Sequence, residues 1–174
     1  MSGAIRFTPI GVLRSGHTLA EETPIQPVYA QGSWGRAEVF PEYAEGLQDI
    51  ETFSHIFLIY HLHLAAPAGL IVKPFLQDRD RGVFATCHPG RPNAIGMSLV
   101  TLLRREGHVL QLDGADFLDG TPLLDIKPYA ARLHRIERPR SGWHEEVDEE
   151  EAVRRGRRAQ SGAGGGSRTC GRSS

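Results

Sequence analysis

The sequence predicts a mainly β, single-domain small barrel carrying one or two short helices. Three observations lead there. Short runs rich in β-branched, aromatic and aliphatic residues recur from Ile5 to Ile126, each punctuated by Pro, Gly, Asn or Asp. Few stretches read as helix. No G-x-G-x-x-G follows a strand, so the doubly wound nucleotide-binding fold is not indicated. A chain of 174 residues has the size of one domain with its own core, placed here at residues 1–143. A charged helix over 144–159 and a Gly/Ser/Arg-rich tail over 160–174 follow, the tail too poor in apolar residues to order itself.

Ile5 to Arg14 reads as the first strand, with Phe7, Ile10, Val12 and Leu13 at its apolar positions. Ser15 to Ser33 is a loop, broken by Gly16, Pro24, Pro27 and Gly32. Arg36 to Phe40 is a second strand, and Pro41 to Leu47 a short helix with proline in its first turn. Phe53 to Leu64 has the profile of a buried strand. Its His61 and His63 share one face, a spacing open to a metal, but no Cys or carboxylate cluster completes a ligand set, and no metal is expected. After the loop Ala65 to Asp80, Val83 to Ala85 and Ile95 to Val100 read as short strands flanking a constrained turn. Leu99 to Arg104 and His108 to Leu112 form a hairpin across Arg105-Glu106-Gly107, and Leu123 to Ile126 is the last strand. From Glu145 an acidic run precedes Arg154, Arg155, Arg157 and Arg158, the charge order of a solvated helix.

A net charge of −1 offers no global attraction to nucleic acid, so an RNA partner would need a local patch. Arg132, Arg135, Arg138 and Arg140 form the densest basic stretch outside the tail, suited to contacts with phosphate. The alternative is a solvated surface segment. Cys87 and Cys170 are the only cysteines, which argues against a disulfide framework or a structural zinc site. The N-terminus lacks the apolar stretch of a signal peptide, and the most apolar window, Ile56 to Val72, is too short and interrupted to span a bilayer. A cytoplasmic, soluble protein is expected.

Two stretches concentrate the chemistry. Arg81 to Ser98 places Thr86, Cys87, His88, Arg91, Asn93 and Ser98 around Pro89, Gly90 and Pro92, a dense set of donors and acceptors on a stiff loop. Asp119 to Tyr129 reads Asp-Gly-Thr-Pro-Leu-Leu-Asp-Ile-Lys-Pro-Tyr. In order and spacing the two stretches resemble the TrmO/TsaA-like (YaeB-like, UPF0066-type) S-adenosylmethionine-dependent tRNA methyltransferases. The likeness extends to Pro9–Ser15, Phe40–Leu47 and Phe53–His55 and covers roughly residues 5 to 143.

The resemblance implies a small β-barrel working as a homodimer. It implies methyl transfer from S-adenosylmethionine to N6 of threonylcarbamoyl-adenosine, in the anticodon region of tRNA. It implies a cofactor pocket lined by Ile25, Gln26, Pro27, His63, Leu64, Cys87, Met97, Asp119, Gly120, Thr121 and Pro122. Ile25 and Cys87 stand where similar proteins usually carry arginine, and His88 replaces a serine. Asp119 and Asp125 are the carboxylates to test as a base for the acceptor nitrogen, with Lys127 as their partner or as a phosphate ligand. Both aspartates also have a structural reading, a turn at Asp119-Gly120 and a pair between Asp125 and Lys127. Arg91 joins the arginine stretch as an RNA contact, or turns inward as a cation for the pocket. Two readings compete with the methyltransferase: an enzyme methylating another substrate, and a barrel that senses S-adenosylmethionine or RNA without turnover.

Overall fold

The computed structural model describes residues 3–158; the tail 160–174, with Cys170, lies outside the described residues. Eight strands form, β1 (Gly11–Ser15), β2 (Trp34–Val39), β3 (His55–His61), β4 (Ile71–Val72), β5 (Arg81–Gly82), β6 (Ile95–Glu106), β7 (Val109–Asp113) and β8 (Thr121–Pro128). Six of them close a barrel in the order β1-β2-β7-β6-β3-β8, and β4 pairs with β5 as a separate ribbon. Every barrel pairing is antiparallel.

Alternation explains the closure. Along β3 the inward positions Ile56, Leu58 and Tyr60 are buried, and along β6 so are Ser98, Val100 and Leu102. With Leu13, Leu110, Leu112 and Leu123 they fill the interior, each such aliphatic side chain contributing about 1.5–3 kcal/mol of burial. A closed barrel leaves no unpaired sheet edge.

Several expectations need correction. The first strand begins at Gly11 rather than Ile5: Ile5 and Phe7 are exposed, and only Ile10 makes ladder-like bonds, to Leu123 and Phe40. Val83–Ala85 is a 3₁₀ turn, because a three-residue apolar run has no period to distinguish strand from turn. The two strands expected across Ile95 to Arg104 are one strand, β6. It pairs with β3 up to Thr101 and with β7 from Thr101 onward, with an irregularity between Leu102 and Arg104. The short helix expected over Pro41–Leu47 is present with those bounds, as a 3₁₀ helix that starts on its proline.

Two α-helices follow the barrel, α1 (Ala131–His134) and α2 (Glu149–Arg157). Asp148 caps α2 by accepting from the Glu151 N–H, and three glutamates lie in the first turn against three arginines in the last. The helix is not solvated all round, as its charge had implied. Ala152 and Gly156 are buried, and an added Cβ at Gly156 would overlap the Tyr29 ring. Glycine there lets the helix lie against the barrel's first long loop.

Candidate functional site

The end of β3, the start of β6 and the start of β8 meet at one end of the barrel, because β3 runs antiparallel to both partners. A cavity of about 670 Å³ opens there. Its walls come from the loop Thr23–Gln26, from Leu62–Ala65 beyond β3, from Thr86–Asn93, from Ile95–Met97 and from Asp116–Leu118. Ala20, Tyr60, Phe75, Phe84, Thr121 and Arg158 complete it.

The polar centre is a relay of three side chains. Ser98 Oγ donates to Asp116 Oδ1 at 2.6 Å, and Tyr60 Oη lies 2.8 Å from Ser98 Oγ. With the serine proton committed to the carboxylate, Tyr60 is the donor to Ser98. Tyr60 and Ser98 are buried. Each has a local cause. Tyr60 is the last inward position of β3 in the alternation Ile56, Leu58, Tyr60, and a register shift in the β3–β8 ladder falls between Ile59 and Tyr60. Gly96, its partner in register on β6, lies under the ring, and a Cβ there would overlap it. Phe117 meets the other side edge-on, with ring centroids 6.0 Å apart.

Asp116 sits on the loop between β7 and β8, which is strapped down on both sides. Gly114 turns with φ of 90°, His17 Nε2 lies 3.0 Å from the Ala115 carbonyl, and Ser15 Oγ donates to the Phe117 carbonyl at 2.6 Å. Asp119 Oδ1 accepts from the Ser15 N–H, and Thr121 Oγ1 donates to the Leu118 carbonyl. The residue is half-buried, but its carboxyl is enclosed, and burial pushes it up to about 7 from the usual 3.8 against the opposing Ser98 hydrogen bond. Burial also pushes the Tyr60 phenol up, with the Asp116 charge adding to it, so it stays a donor at neutral pH.

Of the residues singled out in the sequence, Ile25, Gln26, His63, Leu64, Cys87, Met97 and Thr121 line this cavity. So does Arg91, whose guanidinium donates to the Thr86 carbonyl at 3.2 Å. Pro27, Gly120 and Pro122 adjoin lining residues without being among them. Asp119 is bound instead to Ser15 and to Arg14, at 3.5 Å, and Asp125 pairs with Lys127 at 3.1 Å on an exposed part of β8. The three residues expected to supply acid–base chemistry thus lie outside the cavity walls. The carboxylate within them is Asp116. Its signal was faint in the sequence: Tyr60 and Ser98 are polar groups at inward positions of otherwise apolar strands, a pattern that requires a buried partner. Arg132, Arg135, Arg138 and Arg140 are exposed on α1 and the segment after it, and none pairs with a carboxylate among the described residues.

Residues 12–134 match the tRNA-methyltransferase O N-terminal domain model. The chain belongs to this family. It is 50% identical over 141 residues, 81% of the chain and 77% of the relative, to a probable S-adenosyl-L-methionine-binding protein of Pyrococcus abyssi. The human tRNA (adenine(37)-N6)-methyltransferase is 36% identical over 137 residues, 75% of this chain but 31% of that protein. Among solved structures, TrmO from Pseudomonas aeruginosa superposes with a TM-score of 0.67 at 36% identity, covering 80% of this chain and 62% of the TrmO chain. The barrel is therefore the family's barrel, while the longer relatives extend well beyond what this chain matches.

Proposed function

We propose that the protein is an S-adenosylmethionine-dependent tRNA methyltransferase acting on N6 of threonylcarbamoyl-adenosine beside the anticodon. The observation that carries this reading is the Tyr60–Ser98–Asp116 relay in a cavity built by the family domain. The cavity suits the cofactor: its volume lies in the small-molecule range, its walls are largely apolar, and it offers one carboxylate and two guanidinium groups to a ligand carrying both signs of charge. Gln26, Leu64, Cys87, Met97 and Thr121 would hold the cofactor's body. When bound, S-adenosylmethionine would supply an activated methyl group.

The protein's own residues then have two tasks. One is alignment of acceptor and donor, which rests on the stiffness of the strapped loops. The other is removal of a proton. The acceptor nitrogen of a carbamoylated adenine carries a hydrogen and a delocalised lone pair, so a base at that nitrogen raises its reactivity. Asp116 takes this proton on its carboxylate, Ser98 and Tyr60 hold the carboxylate in orientation, and a value of about 7 suits a base working near neutral pH. Arg132, Arg135, Arg138 and Arg140 hold the anticodon stem through its phosphates. The active form is a homodimer, acting in the cytoplasm.

The test is incubation of the full chain with S-adenosylmethionine and tRNA from a strain lacking this activity, followed by nucleoside mass spectrometry. One added methyl on threonylcarbamoyl-adenosine is the expected result. Methylation of a different nucleoside would keep the enzyme and replace its substrate. Cofactor binding without transfer would instead favour a sensor, a reading consistent with a Pyrococcus relative named only for binding.

A further inference from the structure

The family match ends at residue 134, yet a side chain beyond it reaches the cavity: Arg158, at the C-terminal end of α2. Three contacts hold that end of the helix on the cavity rim. The Ile25 N–H donates to the Gly156 carbonyl at 3.0 Å, which ties the helix to the wall loop itself. Arg155 binds Asp78 at 2.8 Å, close in sequence to the wall residue Phe75. Gly156 packs without a gap on Tyr29. The chain then takes a left-handed turn at Arg158, φ 48°, one of two non-glycine residues with positive φ among those described. A residue with a Cβ holds that conformation only where its surroundings over-determine it. The Arg158 guanidinium lies 4.1 Å over the Phe75 ring and donates to the Ala20 carbonyl, and burial pulls its pKa down. Among the described lining residues the only other guanidinium is Arg91, which donates to the Thr86 carbonyl.

We infer that α2 is a clamp on the cofactor cavity and that Arg158 binds the carboxylate of the cofactor's amino-acid end. This rests on the S-adenosylmethionine reading above. The chemistry favours the role. Arginine presents a planar fork matched to a carboxylate, and stacking on Phe75 orients it while two or more N–H groups remain for a ligand. At the mouth of an apolar cavity such a bond counts for more than it would in open water.

The test is titration calorimetry of the full chain with two ligands, S-adenosylmethionine and 5′-methylthioadenosine, which shares the adenosine and sulfur but has no amino-acid end. Wild type is compared with Arg158→Met and Arg158→Lys. Arg158→Met should weaken S-adenosylmethionine roughly ten- to hundredfold, the effect of one charged hydrogen bond, and leave 5′-methylthioadenosine within about twofold. Arg158→Lys should fall between. Unchanged S-adenosylmethionine affinity would overturn the inference, as would equal losses for both ligands, since these mean that Arg158 shapes the rim without meeting a carboxylate. An effect confined to tRNA binding would overturn it too. If wild type binds neither ligand, the cofactor reading fails first; if it binds both and Arg158→Met matches it, Arg158 alone is excluded.

Discussion

At the residue scale the proposed proton transfer rests on Asp116, the carboxylate that lines the cavity and accepts from Ser98. Asp116→Asn keeps the shape and removes the ionisation, so methyl transfer should fall by about 10²–10⁴ while cofactor affinity changes little. The wild-type rate should climb as pH rises through about 7, and the variant's profile should be flat there. Stability must move in the opposite sense. The folded value of Asp116 lies above the 3.8 of the free carboxyl, so between those values the native state holds more protons than the unfolded chain. Its contribution is therefore present at acid pH and is lost as pH rises towards about 7. Thermal melts should show Asp116→Asn gaining on wild type at pH 8 but not at pH 3. A wild type that gains on the variant as pH rises would contradict the buried-acid picture. Gly96 gives an independent handle on the same relay. Gly96→Ala pushes the Tyr60 ring out of its place, and overpacking of this kind costs about 1–3 kcal/mol, readable as a lower denaturation midpoint together with slower transfer. Gly96 was legible only as part of a motif. That it supports a ring on the neighbouring strand depends on the register of β3 against β6, which no local sequence pattern reveals.

Elements were legible to the extent that a single surface decides their pattern. β1, β2, β3, β7 and β8 each alternate against one core, and their expected positions agree with the barrel to within a few residues, apart from the start of β1. The pattern of β6 changes midway because the strand leaves β3 for β7, and one strand therefore read as two. The polar face of α2 hid a second face of only Ala152 and Gly156, small residues that score as indifferent until Tyr29 is seen beneath them. Ile25, Gln26, His63, Leu64, Cys87, Met97 and Thr121 line one cavity although no periodicity marks them; the family likeness alone groups them in the sequence. Asp116 and Arg158 are not marked in the sequence, since each meets partners distant along the chain. The segment after β8 carries its own test. Arg132, Arg135, Arg138 and Arg140 are exposed and interleaved with the exposed Leu133 and Ile136. Replacing all four arginines by serine should weaken tRNA binding and shrink its salt dependence, by a slope of roughly 0.9 for each phosphate no longer neutralised on duplex and 0.7 on single strand. Filter binding across a salt series reads both; an unchanged slope would move the RNA interface elsewhere, and cofactor affinity should not respond.

At the scale of the whole molecule, the barrel's outer surface remains to be accounted for. Ile95, Met97, Leu99 and Leu103 alternate outward along β6 and are exposed, Met97 at 61% and Leu103 at 59%. On β3, Ile59 stands opposite Met97 and Phe57 opposite Leu99, so the apolar strip is two strands wide; Tyr129 and His134 cover part of Phe57. A closed barrel cannot extend its own ladder into a second copy, so the expected dimer would bury this face against itself, the self-complementary contact of a two-fold pair. Full burial of a large apolar side chain returns about 1.5–3 kcal/mol; these four, 37–61% exposed, return about half of that each, and summed over two copies this is of the same order as an association cost of about 4–15 kcal/mol. Ile95 and Met97 also line the cavity, which brings the expected interface to the edge of the site. Light scattering of wild type should therefore give the mass of two chains. Leu99→Glu combined with Leu103→Glu places a charge at the centre of the strip in each copy and should give the mass of one. Because neither residue lines the cavity, any accompanying loss of cofactor affinity would report the partner's contribution to the site. A wild type that scatters as a single chain at micromolar concentration would show that the strip serves something other than a second copy.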